Sequence, residues 1–446
     1  MSSKILLKTI KEYRKSTEEN AQIKLARNAA VRGKITDLAM DWEAFRKIDH
    51  TFSKVISGQM KVTNQKASGR CWGFAGLNLF RIYLGRKYNL KQFEFSQSYF
   101  MFWDKLEKAN YFLENIISTM DESREGRLIM HLLTNPIQDG GQWHMFINLI
   151  NKYGAVPQSE MPESFQSSNS MRMNRMITRK LREYAMNLRD AHTKGAKLKK
   201  LRFMKEEMLE TVYSLLTIHL GSPPEKFVWQ VRDKDKRFHR FEGLTPKRFF
   251  SDHVGLNLDE YVCLINCPMS DKTYSEVYTV EFLGNVSGGE NIRYLNLPSK
   301  RLKEVASASI EDDAPVWFGC DVGKHFHRNL GVMDLDLFNF SLFYSTDFPM
   351  TKANRLEYGE SQMTHAMLFT GVDLNQKGDP RKWRVENSWG DKRSDKGYDI
   401  MTDKWFDEYN YEVVVHKKYI TDEEMKIYQR DPVKLPPWDP MGALAI

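Results

Sequence analysis

Apolar residues recur at helical spacing through the first half of the chain. After Cys71, the apolar positions 74, 77 and 84 lie near one face of a helix. The same spacing predicts a second helix over residues 143–152, which the Tyr-Gly pair ending at Gly154 closes. We therefore expect this half of the protein to be rich in helices.

The longest helical pattern covers residues 171–220. It is rich in Met, Leu, Arg and Lys and shows no alternation of β-branched residues. Gly195 interrupts the pattern, and Gly221 with the following Ser-Pro-Pro ends it. The segment predicts two or more amphipathic helices that are separated near Gly195.

The second half of the chain shows strand patterns instead. Two short apolar runs flank an Asp-Lys-Asp-Lys turn and resemble a β-hairpin, and alternating or continuous apolar runs follow. The predicted strands cover residues 227–231, 237–241, 261–265, 278–283, 292–297, 316–318, 365–372, 383–387 and 412–416. Because the helices come first and the strands last, the expected fold class is α+β with segregated halves.

The composition narrows the class of protein. The chain has 446 residues, of which 41% are hydrophobic and 28% are charged, as in ordinary globular proteins. No stretch approaches the roughly 20 apolar residues of a membrane helix, and the N-terminus has no secretory signal pattern. Four cysteines in so long a chain indicate free thiols rather than a disulfide framework. We expect a cytoplasmic protein.

The net charge of +8 comes from one segment. Residues 172–205 contain twelve Lys and Arg against two acidic residues, a local net charge of +10. Such a run is usually the solvated face of a helix. The alternative is a surface that binds nucleic acid through its phosphates.

Cys71 has the local setting of a nucleophile. A thiol needs a lowered pKa to react, and a helix N-terminus or a partner imidazole supplies it. The loop Ser68-Gly-Arg leads directly into the predicted helix at Cys71, and Gln65 lies six residues upstream. The Gln65 amide and the Cys71 backbone N–H are candidates for stabilising a carbonyl oxygen that becomes negative. Taken alone, Cys71 could equally be a small buried hydrophobic residue.

His365 and Asn387 are the candidate partners of the thiol. His365 begins an alternating strand, and Asn387 follows 22 residues later, at the end of the next predicted strand. The Asn387 side-chain oxygen would fix the tautomer of the imidazole, and Trp389 would cover that hydrogen bond. A structural histidine and a simple Asn-Ser-Trp-Gly turn are the alternatives.

These three motifs together resemble the papain-like cysteine peptidases. Gln65-x5-Cys71-Trp matches the family's nucleophile segment, Thr-His365-Ala its histidine segment, and Asn387-Ser-Trp-Gly its asparagine segment. The family signature has an additional cysteine three residues before the nucleophile, where this chain has Ser68. That cysteine forms a disulfide in secreted relatives, so its absence suits a reducing cytoplasm.

The spacing and further motifs resemble the bleomycin hydrolase/aminopeptidase C branch. His365 lies 294 residues after Cys71, whereas secreted papain relatives have roughly 130–150 residues between the two. The remaining similarities are Asn64-Gln-Lys-Ala-Ser-Gly-Arg-Cys-Trp, Gly140-Gly-Gln-Trp, Val316-Trp-Phe-Gly-Cys-Asp-Val-Gly and Asp439-Pro-Met-Gly-Ala-Leu-Ala.

The resemblance implies a papain-like two-lobed core with a large helical insertion. Its expected parts are an N-terminal arm and helical lobe over residues 1–165, a basic hook-like insertion over 166–260, and a β-rich lobe over 261–446. It also implies a homohexamer with active sites facing a central channel. The expected activity is that of an aminopeptidase of broad specificity, which acts through a Cys71 thioester and also cleaves bleomycin-like amides.

Substrate contacts also follow from the resemblance. Gly140 and Gly141 match the wall of the substrate groove, although a tight turn before a helix would explain them equally. The C-terminal tail would lie in the cleft and anchor the substrate's α-ammonium group through its carboxylate. Relatives often end at the position of Ala445, so we hypothesise that Ile446 is trimmed. A frayed terminus is the alternative.

The other candidate residues predict no cofactor and no metal. Cys263 and Cys267 lack a second cysteine pair for zinc, and Cys320 is expected to pack in the core. A structural role is predicted for the histidines that lack a matching partner, namely His131, His144, His325 and His327. The competing functions are a nucleic-acid-binding protein and a ring-forming scaffold with a vestigial site. Every catalytic position is filled, so nothing favours the scaffold.

Overall fold

The computed structural model describes residues 3–444. Its helices are α1 (Leu7–Glu19), α2 (Ala21–Ala30), α3 (Ile35–Leu38), α4 (Trp42–Phe45), α5 (Cys71–Lys87), α6 (Gln97–Ser118), α7 (Arg127–Thr134), α8 (Trp143–Tyr153), α9 (Phe165–Ser168), α10 (Met171–Thr193), α11 (Leu198–Leu220), α12 (Pro246–Phe249), α13 (Ser299–Glu311), α14 (Phe340–Tyr344), α15 (Lys352–Glu357), α16 (Asp403–Tyr409) and α17 (Asp422–Tyr428). Its strands are β1 (Lys54–Val55), β2 (Phe227–Arg232), β3 (Phe238–Leu244), β4 (Tyr261–Ile265), β5 (Glu276–Val280), β6 (Tyr294–Asn296), β7 (Val316–Cys320), β8 (Phe326–His327), β9 (Val332–Met333), β10 (His365–Leu374), β11 (Pro380–Glu386), β12 (Tyr398–Thr402), β13 (Asn410–His416) and β14 (Val433–Leu435).

The main sheet has the strand order β14-β5-β6-β4-β13-β7-β10-β11-β12-β9-β8. Its central strand β10 pairs antiparallel with β7 on one side and with β11 on the other. β2 and β3 form a separate antiparallel hairpin. The sheet uses only the second half of the chain, apart from β1 on β10. The predicted α+β class with segregated halves is therefore confirmed.

Helix α5 lies in the core, where it packs against β10. Most of its side chains are buried, from Cys71 at its first position to Leu84 near its end. α6, α10 and α11 pack against one another, so the basic helices cover α6 rather than projecting alone. The buried face of α10 is apolar and its exposed face is basic, which is the amphipathic pattern predicted from the sequence.

The local predictions of secondary structure are largely confirmed. α10 and α11 are separated around Gly195, and α8 ends at Gly154, whose φ of 73° suits glycine. The predicted strand over 278–283 was displaced, since β5 covers Glu276–Val280. Phe282 adopts a left-handed φ of 57°, which ends the extended conformation before that residue.

The N-terminal helices α1 and α2 have no buried residue. These helices and the residues that flank them expose large apolar side chains, among them Ile5, Leu7, Leu25 and Val31. This arm therefore presents apolar surface that the chain itself leaves uncovered. Within residues 3–444, no helix is both long and apolar enough to cross a membrane.

Candidate active site

Cys71 occupies the first position of α5, at the junction between the helix and the sheet. No side chain caps this end of the helix, because Arg70 at the N-cap makes no capping hydrogen bond there. The first backbone N–H groups of a helix point outward and favour a negative charge. The start of α5 thus offers the thiol a setting that stabilises its ionised form.

Burial is the main influence on the Cys71 thiol. It raises the pKa of this thiol to about 12, while the backbone N–H groups of Ala366, Trp72 and Cys71 itself lower it. Contact with Ala366 also places the sulfur beside the residue that follows His365. A thiolate at this position therefore depends on close hydrogen-bond donors and on a partner that takes its proton.

His365 begins β10, and its imidazole hydrogen-bonds to Asn387. The distance from His365 Nε2 to Asn387 Oδ1 is 2.9 Å. An amide oxygen accepts a hydrogen bond, so Nε2 carries the proton in this assignment and Nδ1 is left as the basic nitrogen. The predicted pairing of these two residues is present, and both side chains are buried.

Burial also lowers the pKa of His365, to about 4, although the hydrogen bond that His365 donates to Asn387 opposes that shift. Both shifts favour the uncharged thiol and the uncharged imidazole when each group is considered alone. Transfer of the Cys71 proton to His365 Nδ1 creates a pair of opposite charges without adding net charge to the core. The Ala366 backbone N–H at the sulfur brings the start of β10, which carries His365, next to Cys71, and this suits proton transfer between the two side chains.

Gln65 connects the loop before Cys71 to the segment that holds Asn387. Its side chain accepts a hydrogen bond from Ser388 Oγ at 2.5 Å and donates one to the Ser68 carbonyl at 2.6 Å. Its backbone N–H donates to the Ser388 carbonyl. An amide nitrogen has two protons, so the Gln65 side chain retains one donor beyond the bond to Ser68.

Trp389 lies over the imidazole of His365. Their ring centroids are 4.9 Å apart. The guanidinium groups of Arg328 and Arg393 contact the same indole, at 4.5 and 4.7 Å from its ring centroid. The indole therefore packs against the imidazole that bonds to Asn387, and two cations lie against the indole.

Gly141 lies directly against Trp72, the residue after the thiol. A Cβ atom built at Gly141 would be 2.4 Å from Trp72 Cε2, far closer than van der Waals contact. The Trp72 indole donates to the Asp139 carbonyl at 2.7 Å, which fixes the ring against this segment. Gly140 is also buried, and its carbonyl accepts a hydrogen bond from Lys108. Packing on Trp72 thus requires a glycine at 141.

Comparison with known proteins places this geometry in a family. The sequence model of the Peptidase C1-like family matches residues 4–442. The chain belongs to this family. Bleomycin hydrolase from Gallus gallus is 44% identical over 432 residues, 95% of each chain. Aminopeptidase C from Streptococcus thermophilus is 48% identical over 385 residues, 86% of each chain.

A solved structure supports the same assignment. PepW from Lactobacillus rhamnosis HN001 is similar with a TM-score of 0.97 and 43% identity, and the match covers 100% of both chains. The expected membership in the bleomycin hydrolase and aminopeptidase C branch is therefore confirmed. The papain-like fold with its helical insertion and the class of cysteine-type peptidase are confirmed with it.

The C-terminal tail of this Peptidase C1-like protein runs to the segment that follows Gly140 and Gly141. Lys272 binds Asp439 at 2.8 Å, and the Ala443 carbonyl accepts a hydrogen bond from Gln142 Nε2 at 2.7 Å. Gln142 also contacts the sulfur of Met363, two residues before His365. Leu444 is buried, only 7% exposed. The predicted tail residues Ala445 and Ile446 lie outside the described residues.

Asp139 and Gln142 were not among the residues predicted from the sequence. The Asp139 carboxylate accepts hydrogen bonds from the Gly69 backbone and from Ser170, and it pairs with the buried Lys105 at 2.6 Å. It therefore fixes the loop that precedes the thiol. Their position beside the Gly-Gly pair was the only signal in the sequence, because neither residue type is specific for such a role.

The remaining cysteines and histidines lie away from this chemistry, with one exception. Cys320 pairs with His365 across β7 and β10, so its side chain is on the same face of the sheet as the imidazole. The Cys263 thiol donates to Glu412 at 3.0 Å. Within residues 3–444, no group of His, Cys, Asp or Glu is arranged to hold a metal ion.

Proposed function

We propose that this protein is a cysteine aminopeptidase of broad specificity in which Cys71, His365 and Asn387 carry the chemistry. The observation that supports this most directly is the position of the tail. Gln142 binds Ala443 and follows the segment that holds Trp72, which supports a tail that lies in the groove leading to Cys71.

The reaction begins with proton transfer from the Cys71 thiol to His365 Nδ1. The sulfur then attacks the carbonyl carbon of the substrate amide, and the carbonyl oxygen becomes negative. His365 next gives its proton to the leaving amine, the carbon–nitrogen bond breaks, and a thioester on Cys71 remains. Water, deprotonated by His365, attacks the thioester and releases the amino acid, which restores the thiol.

Two donors are placed to stabilise the negative oxygen. One is the backbone N–H of Cys71 at the start of α5, and the other is the free proton of Gln65 Nε2. Because Gln65 is fixed by Ser68 and Ser388, it needs little rearrangement during the reaction. Asn387 keeps the imidazole in the tautomer that accepts the thiol proton.

The tail explains why the enzyme would remove N-terminal residues. From Ala443, the two further residues up to Ala445 extend at most about 7 Å. A carboxylate at that distance would occupy the groove where the rest of a longer substrate would bind. It would also attract the α-ammonium group of a substrate that begins there. Amides such as the one in bleomycin would fit when they carry a free amine at the same position.

The experiment compares an unblocked aminoacyl fluorogenic amide with its N-acetylated form. We expect wild type to cleave only the free-amine substrate and Cys71→Ala to cleave neither. A variant ending at Ala443 should gain activity on the acetylated substrate, because the groove is opened. Equal cleavage of both substrates by wild type would contradict the aminopeptidase assignment, and no cleavage of either would contradict the peptidase function.

We also propose that Ile446 is trimmed from the mature enzyme, so that Ala445 supplies the terminal carboxylate. Intact mass spectrometry of the active protein tests this directly. A mass that lacks one Ile residue is expected. An active enzyme that retains Ile446 would refute the trimming.

A second activity, nucleic-acid binding, is favoured by one surface. Arg172, Arg175, Arg179 and Arg182 follow one another along the exposed side of α10. Binding through these side chains to phosphates would weaken steeply with salt, whereas amide hydrolysis would respond far less. Titration of fluorescent single- and double-stranded DNA at two salt concentrations, with Arg175→Ala/Arg179→Ala as the variant, distinguishes the two activities.

We also propose an assembly and a location for this protein. In a homohexamer, neighbouring copies would bury the apolar residues that α1 and α2 expose. A cytoplasmic location suits the four cysteines, all of which have free thiols.

A further inference from the structure

Asn387 is oriented by a second residue, Asp399, which lies on the far side of its amide. Asn387 Nδ2 donates to Asp399 Oδ2 at 2.9 Å, while Asn387 Oδ1 faces His365 Nε2 at 2.9 Å. Asp399 lies on β12, and its register partner on β11 is Val385, two residues before Asn387. The sheet therefore holds the carboxylate on β12 close to the amide, which directly follows the end of the adjacent strand β11.

Asp399 is itself fixed and charge-balanced by Arg393. Arg393 Nη2 donates to the same oxygen, Asp399 Oδ2, at 2.7 Å, and the Asp399 side chain has no exposed surface. Burial raises the pKa of Asp399, and the Arg393 guanidinium lowers it. Arg393 keeps the carboxylate available as an acceptor, and its guanidinium also contacts the indole of Trp389.

The orientation of the Asn387 amide decides which proton His365 carries. An amide has an oxygen that accepts and a nitrogen that donates, and the two ends have almost the same shape. If the Asn387 amide were reversed, its Nδ2 would face His365 Nε2, which would then have to be the unprotonated nitrogen. The proton would move to Nδ1, and the imidazole could no longer accept the proton of Cys71.

Two contacts oppose that reversal. The Ser388 backbone N–H donates to Asn387 Oδ1 at 2.8 Å, from within the same turn. The contact with the Asp399 carboxylate is the stronger of the two, because a charged acceptor holds an N–H donor more tightly than a neutral partner does. A reversed amide would place its oxygen against this carboxylate, two acceptors in contact in a buried site.

We propose that Asp399, held by Arg393, is a positioning residue that sets the tautomer of His365 by fixing the orientation of Asn387. Asp399 does not touch the substrate or the reacting atoms, and it acts only through the amide. The inference rests on the proposed thiol chemistry, but it concerns the resting site and can be tested without a substrate.

The test uses Asp399→Ala and Asp399→Asn with two readouts. Asp399→Ala removes the acceptor, so kcat should fall by about 100-fold while KM changes little, as expected for misplaced catalytic geometry. The second readout is alkylation of Cys71 by iodoacetamide across pH 5–9, which needs no substrate. In Asp399→Ala the alkylation rate near neutral pH should fall by at least about tenfold, because the thiol loses its proton acceptor.

The conservative variant and a control distinguish a positioning role of Asp399 from a general disturbance of the fold. The amide oxygen in Asp399→Asn can still accept from Asn387 Nδ2, so this variant should recover most of kcat and of the alkylation rate. Asp403→Ala is the matched control, because it also removes a partly buried ion-paired Asp from the same part of the chain, at the end of β12. It should leave both readouts close to wild type.

A double variant keeps the proposal testable if Asp399→Ala does not fold. Asp399→Leu/Arg393→Met replaces the buried ion pair by apolar side chains of similar size, a change that proteins often tolerate. It should fold and show the same losses as Asp399→Ala. The side chain at position 393 should remain in contact with Trp389. Unchanged alkylation and kcat in either folded variant would overturn the proposal, as would equal losses in the Asn and Ala variants. An inactive wild type with the expected alkylation differences would instead count against the proposed function alone.

Discussion

The core contains ionisable side chains that form no salt bridge within residues 3–444, among them Glu412, His144 and Lys352. Burial raises the pKa of Glu412 to about 7 and lowers the pKa of His144 to about 4 and that of Lys352 to about 7. Each group is therefore biased toward its neutral form, at a cost to stability at pH values where it must be charged.

Glu412→Gln should stabilise the protein at high pH. The pKa of Glu412 in the folded state, about 7, lies above its ordinary value of 4.5. Wild type therefore bears the cost of a buried carboxylate above pH 7, and that cost disappears as the pH falls below the unfolded pKa. The difference in unfolding free energy between variant and wild type should therefore increase by up to about 3 kcal/mol from pH 5 to pH 9.

Urea denaturation at several pH values measures this difference. Glu206→Gln is the control, because Glu206 is exposed on α11 and its replacement should give a difference that does not vary with pH. A difference for Glu412→Gln that stays constant with pH would show that the carboxyl is not neutralised in the folded state.

At this scale the sequence identified the residues proposed to react and missed the residues that orient them. Cys71, His365 and Asn387 stand in motifs that are specific in combination, and the structure brings His365 and Asn387 to hydrogen-bond distance. Asp399 and Asp139 stand in no such motif. An aspartate with its partners 12 or 70 residues away has no signature in a single sequence.

The helix that carries the thiol and the strands that carry its partners are joined by a buried ion pair. Arg81 on α5 binds Glu386 on β11 at 2.5 Å, and both side chains are almost fully excluded from solvent. Gln65 and Ser388 make a second connection nearby. Since Glu386 precedes Asn387, these contacts fix the distance between the element of the nucleophile and the element of the amide.

Gly141→Ala should disturb the start of α5 through Trp72. The added methyl group would overlap the indole, which is held by its bond to the Asp139 carbonyl. We expect a loss of about 1–3 kcal/mol in unfolding free energy, the usual cost of overpacking a core. Activity should also fall, because Trp72 adjoins Cys71.

Thermal melting and hydrolysis of the free-amine substrate provide the two measurements. Gly323→Ala is the control, since its new Cβ would meet only Asp321 Oδ1, at 3.9 Å. If Gly141→Ala melted and reacted like Gly323→Ala, the packing explanation for this glycine would be wrong.

On the scale of the whole molecule, apolar surface is concentrated in the N-terminal arm. α1 and α2 bury none of their side chains within the chain, although both have an apolar face. A monomer would leave this surface in water, so the proposed homohexamer accounts for a feature that the isolated chain does not explain.

Charges placed on the apolar side of the arm should weaken assembly. The variant Leu7→Glu/Leu25→Glu/Val31→Glu should have a lower mass in sedimentation than wild type, which we expect at six times 52.3 kDa. The control variant Lys8→Glu/Lys24→Glu/Arg32→Glu introduces the same residues on exposed polar positions and should keep the wild-type mass. Equal masses for wild type and both variants would rule out assembly through this apolar face.

The sequence by itself determined the order of the elements and the residues proposed to react. Helical and strand periodicities are local, so they appear within windows of 5 to 20 residues, and the boundaries of α8, α10 and α11 followed from them. The nucleophile, base and amide segments could be recognised because their chemistry demands particular residue types.

Only the tertiary structure decided how those residues are held. The bond from Gln142 to Ala443 joins residues 301 positions apart, and Gly141 is required by Trp72, 69 positions earlier. The resemblance alone predicted a tail in the cleft, and the structure shows that Gln142 binds Ala443, close to the end of the described residues. Such contacts depend on the packing of distant segments, which no local pattern records.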